Sequence, residues 1–285
     1  MNILLAGSTG YIGSALLPAL VAAGHSVTAL VRGEDKASVV RGKGASAVVG
    51  DITDSALVTR LAAEADAVVT VASPGGASSK DDETAFADAV LAGLDSGKTF
   101  LRTGGIWVHG EGVVDEDTPR DAPALTAWRE AVDTRVLQAP GVRSILIEPG
   151  IVYGHGGGIP NVAVAAARAG SFVGPGTQHW TTIHVDDLAE LYVAALERAE
   201  AGSTFLGVSG DNPTTREIGE ALARRLDLGS VVPETAEAVV ERLGAFGEAL
   251  LLDQQATGEK ARTVLSWKPS RPSLLADIAN GSYDA

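Results

Sequence analysis

The chain has no cysteine, a single methionine, and aromatic residues at only 5% of its 285 positions. Without cysteine there is no disulfide framework, no thiolate zinc site, no iron–sulfur cluster and no cysteine nucleophile. Basic residues are scarce beside acidic ones, 22 against 36, for a formal charge of −14. A negative field of this kind repels polyanions, so neither nucleic acid nor an anionic membrane is expected as a partner. No apolar run approaches the ~18 residues that a membrane helix needs. The opening Met1-Asn2-Ile3-Leu4-Leu5-Ala6-Gly7 lacks the basic and apolar segments of a secretion signal, so the expected location is the cytoplasm. Other signatures are missing too. There is no G-x-S-x-G nucleophile elbow and no G-x-x-x-x-G-K-[ST] phosphate loop. The five histidines are dispersed along the chain, so no metal is expected.

Apolar residues (45%) and glycine (34 residues) are plentiful. Short runs of β type alternate with alanine-rich helical stretches through the first two-thirds. The expected strands are 2–6, 26–31, 46–49, 66–72, 98–103 and 142–147, all nearly continuous in apolar residues. A parallel sheet covered on both faces has this requirement. Helices are expected near 11–23, 54–64, 81–95 and 124–138, with a kink at Pro18. The alternation defines an α/β fold, a Rossmann-type doubly wound parallel sheet. After about residue 150 the rhythm changes. A glycine-rich loop at 153–158 precedes helices near 160–169 and 185–199, a strand at 204–208 and a mostly helical tail from Thr214. The expected division is a dinucleotide-binding core over 1–154, with 182–208 returning to it. A smaller, mostly helical substrate lobe is expected over 155–181 and 209–285.

The chemistry begins at Gly7-Ser8-Thr9-Gly10-Tyr11-Ile12-Gly13, which follows an expected strand and opens an expected helix. Gly7 permits the tight turn, Gly10 lets backbone approach a pyrophosphate, and Gly13 lets the helix pack on the sheet. The helix start offers free N–H groups and the positive end of its dipole.

The G-x-x-G-x-x-G spacing resembles the short-chain dehydrogenase/reductase superfamily, in its extended and atypical branches related to NAD-dependent epimerase/dehydratases. Further matches follow in order: Gly50-Asp51-Ile52-Thr53-Asp54, Glu148-Pro149-Gly150-Ile151-Val152-Tyr153-Gly154, Ile183-His184-Val185-Asp186-Asp187-Leu188-Ala189, and Lys260-Ala261-Arg262 through Trp267-Lys268-Pro269. The resemblance and the glycine motif together imply a cofactor set of Gly7, Thr9, Gly10, Tyr11, Ile12, Gly13, Arg32, Asp51, Ile52, Ala72, Ser73, Pro149, Gly150 and Val152. NAD sites usually carry an acid about 20 residues past the glycine motif. Here Arg32 stands at the end of the second strand, and a guanidinium suits a 2′-phosphate. NADP(H) is therefore expected over NAD(H), although Glu34 or Asp35 offers an acid nearby.

The superfamily's proton relay pairs tyrosine with lysine in Y-x-x-x-K. No tyrosine here has a lysine four residues on. Aligned on Asp133, Arg129 takes the lysine position and Leu125 the tyrosine position, while Gly104 replaces the usual serine. The polar groups left near the nicotinamide end are Thr103, His109, Trp128, Arg129 and Tyr153. Of these, Thr103, His109, Arg129 and Tyr153 are the catalytic candidates. A proton donor is expected at Tyr153 or His109, or in a water held with Thr103, with Tyr153 preferred. Arg129, always charged, is expected to bind an anion or to pair with Asp133. The leading reading is an NADP(H)-dependent oxidoreductase for a small organic molecule, working as a monomer or homodimer. A non-catalytic NADP(H) sensor and a sugar-nucleotide epimerase or dehydratase are the alternatives.

Overall fold

The structure, a computed structural model, describes residues 1–76 and 78–284. Its centre is a sheet of seven parallel strands: β1 (Asn2–Ala6), β2 (Ser26–Val31), β3 (Ser46–Val49), β4 (Ala67–Thr70), β5 (Thr99–Thr103), β7 (Arg143–Pro149) and β12 (Ser203–Gly207). They run in the order β3-β2-β1-β4-β5-β7-β12, so the winding reverses between β1 and β4. The carboxyl ends at such a reversal frame a ligand crevice.

Successive side chains of one strand point to opposite faces, and both faces are covered. Ile3 and Leu5 of β1 join one apolar cluster with Leu16 and Leu20 of α1 (Tyr11–Ala22) and Leu188 and Leu191 of α7 (Val185–Arg198). Leu4 and Ala6 join the other, with Leu61 of α3 (Ser55–Glu64), Phe86 and Val90 of α4 (Ser79–Gly93) and Val136 of α5 (Arg129–Leu137). This two-sided burial accounts for strands that read as unbroken apolar runs.

A third cluster serves the later residues. It gathers Tyr153, Trp180, Ile218, Leu222, Leu250 and Leu274 between α6 (Asn161–Arg168), α8 (Thr215–Arg225), α9 (Ala236–Leu243), α10 (Ala245–Leu250) and α12 (Leu274–Ala279). A small sheet of β11 (Thr182–His184), β8 (Ile151–Gly154) and β9 (Gly157–Gly158) joins this cluster to the core. Two short pairs, β6 (Gly112–Val113) with β14 (Gln254–Gln255) and β10 (Ser171–Phe172) with β13 (Val232–Pro233), tie the tail down. The helix α11 (Glu259–Leu265) returns to the first cluster through Leu265.

Two details differ from expectation. Helix α2 (Glu34–Gly42) was not foreseen, because it buries only Ala37 and Val40 and carries no clear apolar stripe. Helix α5 starts at Arg129, since residues 124–128 form turns in which the Trp128 indole donates to the Leu125 carbonyl. Helix α1 contains Pro18, as expected. Proline leaves the carbonyl four residues earlier without its helical donor, and Lys43 Nζ donates to that Ser14 carbonyl at 3.0 Å.

Candidate functional site

The glycine loop joins β1 to α1 at the reversal point. Gly7 has φ +92°, and a Cβ there would lie 2.6 Å from the Ala72 amide nitrogen, so the ends of β1 and β4 touch only because Gly7 is bare. A Cβ on Gly13 would fall 1.9 Å from the Gly7 carbonyl oxygen, which makes Gly13 a packing requirement. Gly10 is different. Its backbone is extended, and a Cβ there would meet only the Gly7 carbonyl oxygen, at 3.3 Å. The fold's own packing thus comes close to admitting a side chain at Gly10, and the cradle is left open. Gly10 caps α1 without a side-chain hydrogen bond, leaving first-turn N–H groups for an external acceptor. The Ser8 hydroxyl beside it is buried and has no hydrogen-bond partner among the described residues. An unsatisfied hydroxyl, open backbone donors and an unfilled cradle fit an anionic ligand such as a pyrophosphate.

The other expected cofactor residues gather along the same edge. Arg32 follows directly on β2 and is exposed. Asp51, just past β3, accepts from the Thr53 amide (2.9 Å) and hydroxyl (2.8 Å). Those bonds hold its carboxyl below the ordinary range, and the Arg32 charge adds a smaller pull in the same direction. Glu34, the alternative acid for a ribose, is engaged by Arg41. Pro149 and Gly150 pass from β7 into β8, with the Gly150 amide donating to the Gly207 carbonyl at 3.1 Å. Ser73 is exposed, and its hydroxyl donates to Glu83 Oε1 at 2.9 Å.

The place aligned with the proton relay is filled. Arg102, the next-to-last residue of β5, donates to Asp133 Oδ1 (2.8 Å) and Glu83 Oε2 (3.1 Å). Arg120 donates to Asp133 Oδ2 (3.2 Å) and Glu148 Oε1 (2.9 Å). Arg129 donates to both oxygens of Glu83, at 3.2 and 3.1 Å, and stacks on Trp128. Its partner is thus Glu83 and not Asp133, which Arg102 and Arg120 already occupy. Asp133 and Glu148 are wholly buried. A Cβ on Gly104 would lie 3.1 Å from Glu148 Cγ and 3.6 Å from Asp133 Oδ2, so the position of the usual serine abuts these acids.

His109 closes the chain of contacts. Its Nδ1 donates to the Thr118 carbonyl at 3.0 Å, and its Nε2 meets Glu148 Oε2 at 2.8 Å. Burial pulls its pKa down, but the hydrogen bond and charge of Glu148 outweigh this and raise it overall. Both ring nitrogens thus face protein acceptors.

The remaining donor candidates are likewise committed. The Tyr153 hydroxyl donates to the Pro272 carbonyl at 2.6 Å, inside the third cluster, and burial pushes its pKa up. This corrects the expectation that Tyr153 presents a free phenol. Thr103 Oγ1 donates to the Thr70 carbonyl (2.6 Å) and sits 2.5 Å from the buried Tyr192 hydroxyl, which must donate to it. The Tyr11 hydroxyl donates to the Gly154 carbonyl and the Tyr283 hydroxyl to the Gly157 carbonyl, so all four tyrosine hydroxyls bond groups other than lysine.

Sequence reasoning passed over Glu83, Arg102 and Arg120. One signal was present: Arg102 interrupts the apolar run of β5, and a charge in a strand covered on both faces requires buried partners. His155, His184 and Asp186 also converge, with His155 Nε2 3.0 Å from Asp186 Oδ1. Two contacts oppose a cation there. The His184 Nδ1 lone pair accepts the Asp186 amide at 3.1 Å, and Arg271 lies 3.6 Å from the same carboxylate. His184 acts as the N-terminal cap of α7, and His155 hydrogen-bonds to Asp186 in its first turn.

A doubly wound sheet with an open glycine cradle at its reversal point defines a dinucleotide-binding α/β protein of the short-chain dehydrogenase/reductase type. Residues 7–199 match the family model described as NAD(P)H-binding, and the chain belongs to that family. It is 31% identical over 303 residues to the 3-diazoavenalumate denitrifying reductase of Streptomyces sp, across 96% of this chain and 97% of that protein. The fold matches human epimerase family protein SDR39U1 (isoform 2), solved with NADPH, at TM-score 0.76 and 22% identity over 100% of both chains. It matches the dTDP-glucose 4,6-dehydratase DesIV of Streptomyces venezuelae, solved with NAD, at TM-score 0.78 and 19% identity, covering 99% and 96% of the two chains. No helix among the described residues is long and apolar enough to cross a membrane.

Proposed function

We propose that this protein is an NADP(H)-dependent oxidoreductase that reduces a small organic acceptor without a proton from a Tyr–Lys pair. The observation that carries this reading is the contrast within the crevice. The glycine cradle is open, while Arg102, Arg120, Arg129, Glu83, Asp133, Glu148 and His109 fill the relay position with mutual contacts. Gly7, Gly10 and the first turn of α1 would hold the pyrophosphate, and Ser8 would donate to it. Arg32, exposed and in no salt bridge among the described residues, would hold the 2′-phosphate. Bound in this way, the dinucleotide supplies a nicotinamide that carries a hydride.

Acceptors that require no protein acid suit such a site: a diazo group, an iminium, a quinone or an activated alkene. The denitrifying reductase among the relatives acts, by its name, on a substrate of the first kind. An epimerase or dehydratase reading loses support because Leu125 stands at the tyrosine position. The same committed donors also favour a second reading, a sensor that binds NADP(H) without turnover.

Titration of the protein with NADPH and NADH, followed by NADPH consumption over an acceptor panel, separates these readings. Tighter NADPH binding with consumption supports the oxidoreductase. Binding without consumption of any acceptor supports the sensor. Tighter binding of NADH contradicts the role given to Arg32.

A further inference from the structure

The loop 154–158 is held in a costly conformation. Gly154, His155, Gly156 and Gly158 all have positive φ, at 118°, 53°, 70° and 86°. For His155 this is the sparsely populated left-handed region, which persists only where surrounding contacts impose it. The contacts come from two distant parts of the chain. From the glycine motif, the Tyr11 hydroxyl donates to the Gly154 carbonyl at 2.8 Å. The Tyr11 ring lies so close that a Cβ on Gly157 would fall 2.5 Å from its Cε2. From the C-terminal segment, the buried Tyr283 hydroxyl donates to the Gly157 carbonyl at 2.9 Å and accepts from the Gly154 amide at 3.3 Å. A Cβ on Gly156 would meet the Ser282 carbonyl at 2.6 Å, so the tail lies directly against the loop.

Tyr11 is also the first residue of α1, so its backbone belongs to the N-terminal turn at the open cradle. One side chain therefore reaches from the phosphate-binding turn to the loop, and another reaches the same loop from the C-terminal tail. We propose that Tyr283 is a positioning residue for the dinucleotide: it fixes loop 154–158, and the loop fixes Tyr11 and the turn of α1 that Tyr11 opens. This inference rests on the reading that the dinucleotide occupies the glycine cradle.

Tyr283→Phe keeps the ring and removes both hydrogen bonds. Tyr11→Phe removes the bond to Gly154 from the other side. NADPH fluorescence titration should give a dissociation constant raised about three- to tenfold in each variant, the usual range for one or two lost neutral hydrogen bonds. Because both act through one loop, the Tyr11→Phe/Tyr283→Phe double variant should bind about as well as the weaker single variant, short of the product of the two effects. Arg225→Ala breaks the neighbouring Arg225–Asp284 pair without touching the loop and should leave NADPH affinity unchanged. Thermal melts without cofactor should fall by about a few degrees in the phenylalanine variants and leave the fold intact at the titration temperature.

NADPH affinity in Tyr283→Phe within twofold of the unmodified protein would overturn the proposal, as would equal weakening by Arg225→Ala. Failure of the unmodified protein to bind either NADPH or NADH would instead remove the cofactor reading on which it rests.

Discussion

The two ends of the crevice treat their polar groups in opposite ways. At the glycine loop, first-turn amides and the Ser8 hydroxyl have no acceptor among the described residues, and Gly10 leaves room that packing does not demand. At the relay position, three guanidiniums, three carboxylates and an imidazole satisfy one another, nearly all away from water. A buried polar group without a partner is costly unless a ligand supplies one. The first region leaves donors open to the occupant proposed above, and the second satisfies its own charges within the fold. Damage to the first should appear in binding and damage to the second in stability.

The largest effect is expected at Asp133. Asp133→Ala leaves Arg102 and Arg120 facing each other without the carboxylate between them. Losing one partner of a buried ion pair costs about 3–5 kcal/mol, to be read as a fall in unfolding free energy in urea. A stability loss under ~1 kcal/mol, the range of exposed pairs, would mean that water reaches the network freely.

Gly10→Val should reverse the pattern. Valine would occupy the pyrophosphate space and weaken NADPH binding by about a hundredfold or more, roughly 2.7 kcal/mol by the affinity scale. Circular dichroism and the melting midpoint should change little, since only the Gly7 carbonyl lies near. Unchanged NADPH affinity would show that the cradle is not the phosphate site.

Arg32→Ala sharpens the comparison within the cradle. It should weaken NADPH by about tenfold, near 1.4 kcal/mol for one charge-assisted contact, and leave NADH almost unaffected. Equal weakening of both dinucleotides would assign Arg32 a general electrostatic role.

The smallest effect is a slope against pH. Glu148 raises the folded-state pKa of His109 above its ordinary 6.5. A raised pKa means that the folded state holds the proton more tightly than the unfolded chain. The resulting stability is complete below about 6.5 and is lost as pH rises through the raised value. Urea unfolding of the unmodified protein should show that alkaline decline, and His109→Gln should flatten it. A variant with the same slope would place the titration elsewhere.

The strand, glycine loop and helix at residues 2–22 were legible because their signals are local. The motif Gly7–Gly13, the strand before it and the helix after it are contiguous, and each glycine has a short-range reason. The central strands were legible for a related cause, since two-sided burial writes itself as apolar runs. The relay end depends on contacts across long separations. Glu83, Arg102, Arg120, Asp133 and Glu148 come from four elements and a loop, and nothing local in sequence pairs them. Tyr153 misled because its neighbours in sequence resemble a cofactor segment, while its hydroxyl is taken by Pro272, 119 residues away. Helix α2 escaped notice because its polar surface outweighs the two residues it buries.

The most direct test is NADPH consumption by the unmodified protein over paired acceptors. One member of each pair needs no protein acid, such as a quinone or a diazo compound, and the other is a simple ketone that needs a proton for its alkoxide. Consumption is expected with the first kind and none above background with the second, with rates unchanged in Tyr153→Phe. Rapid ketone reduction that is lost in Tyr153→Phe would contradict the absence of a tyrosine acid and return the protein to ordinary relay chemistry.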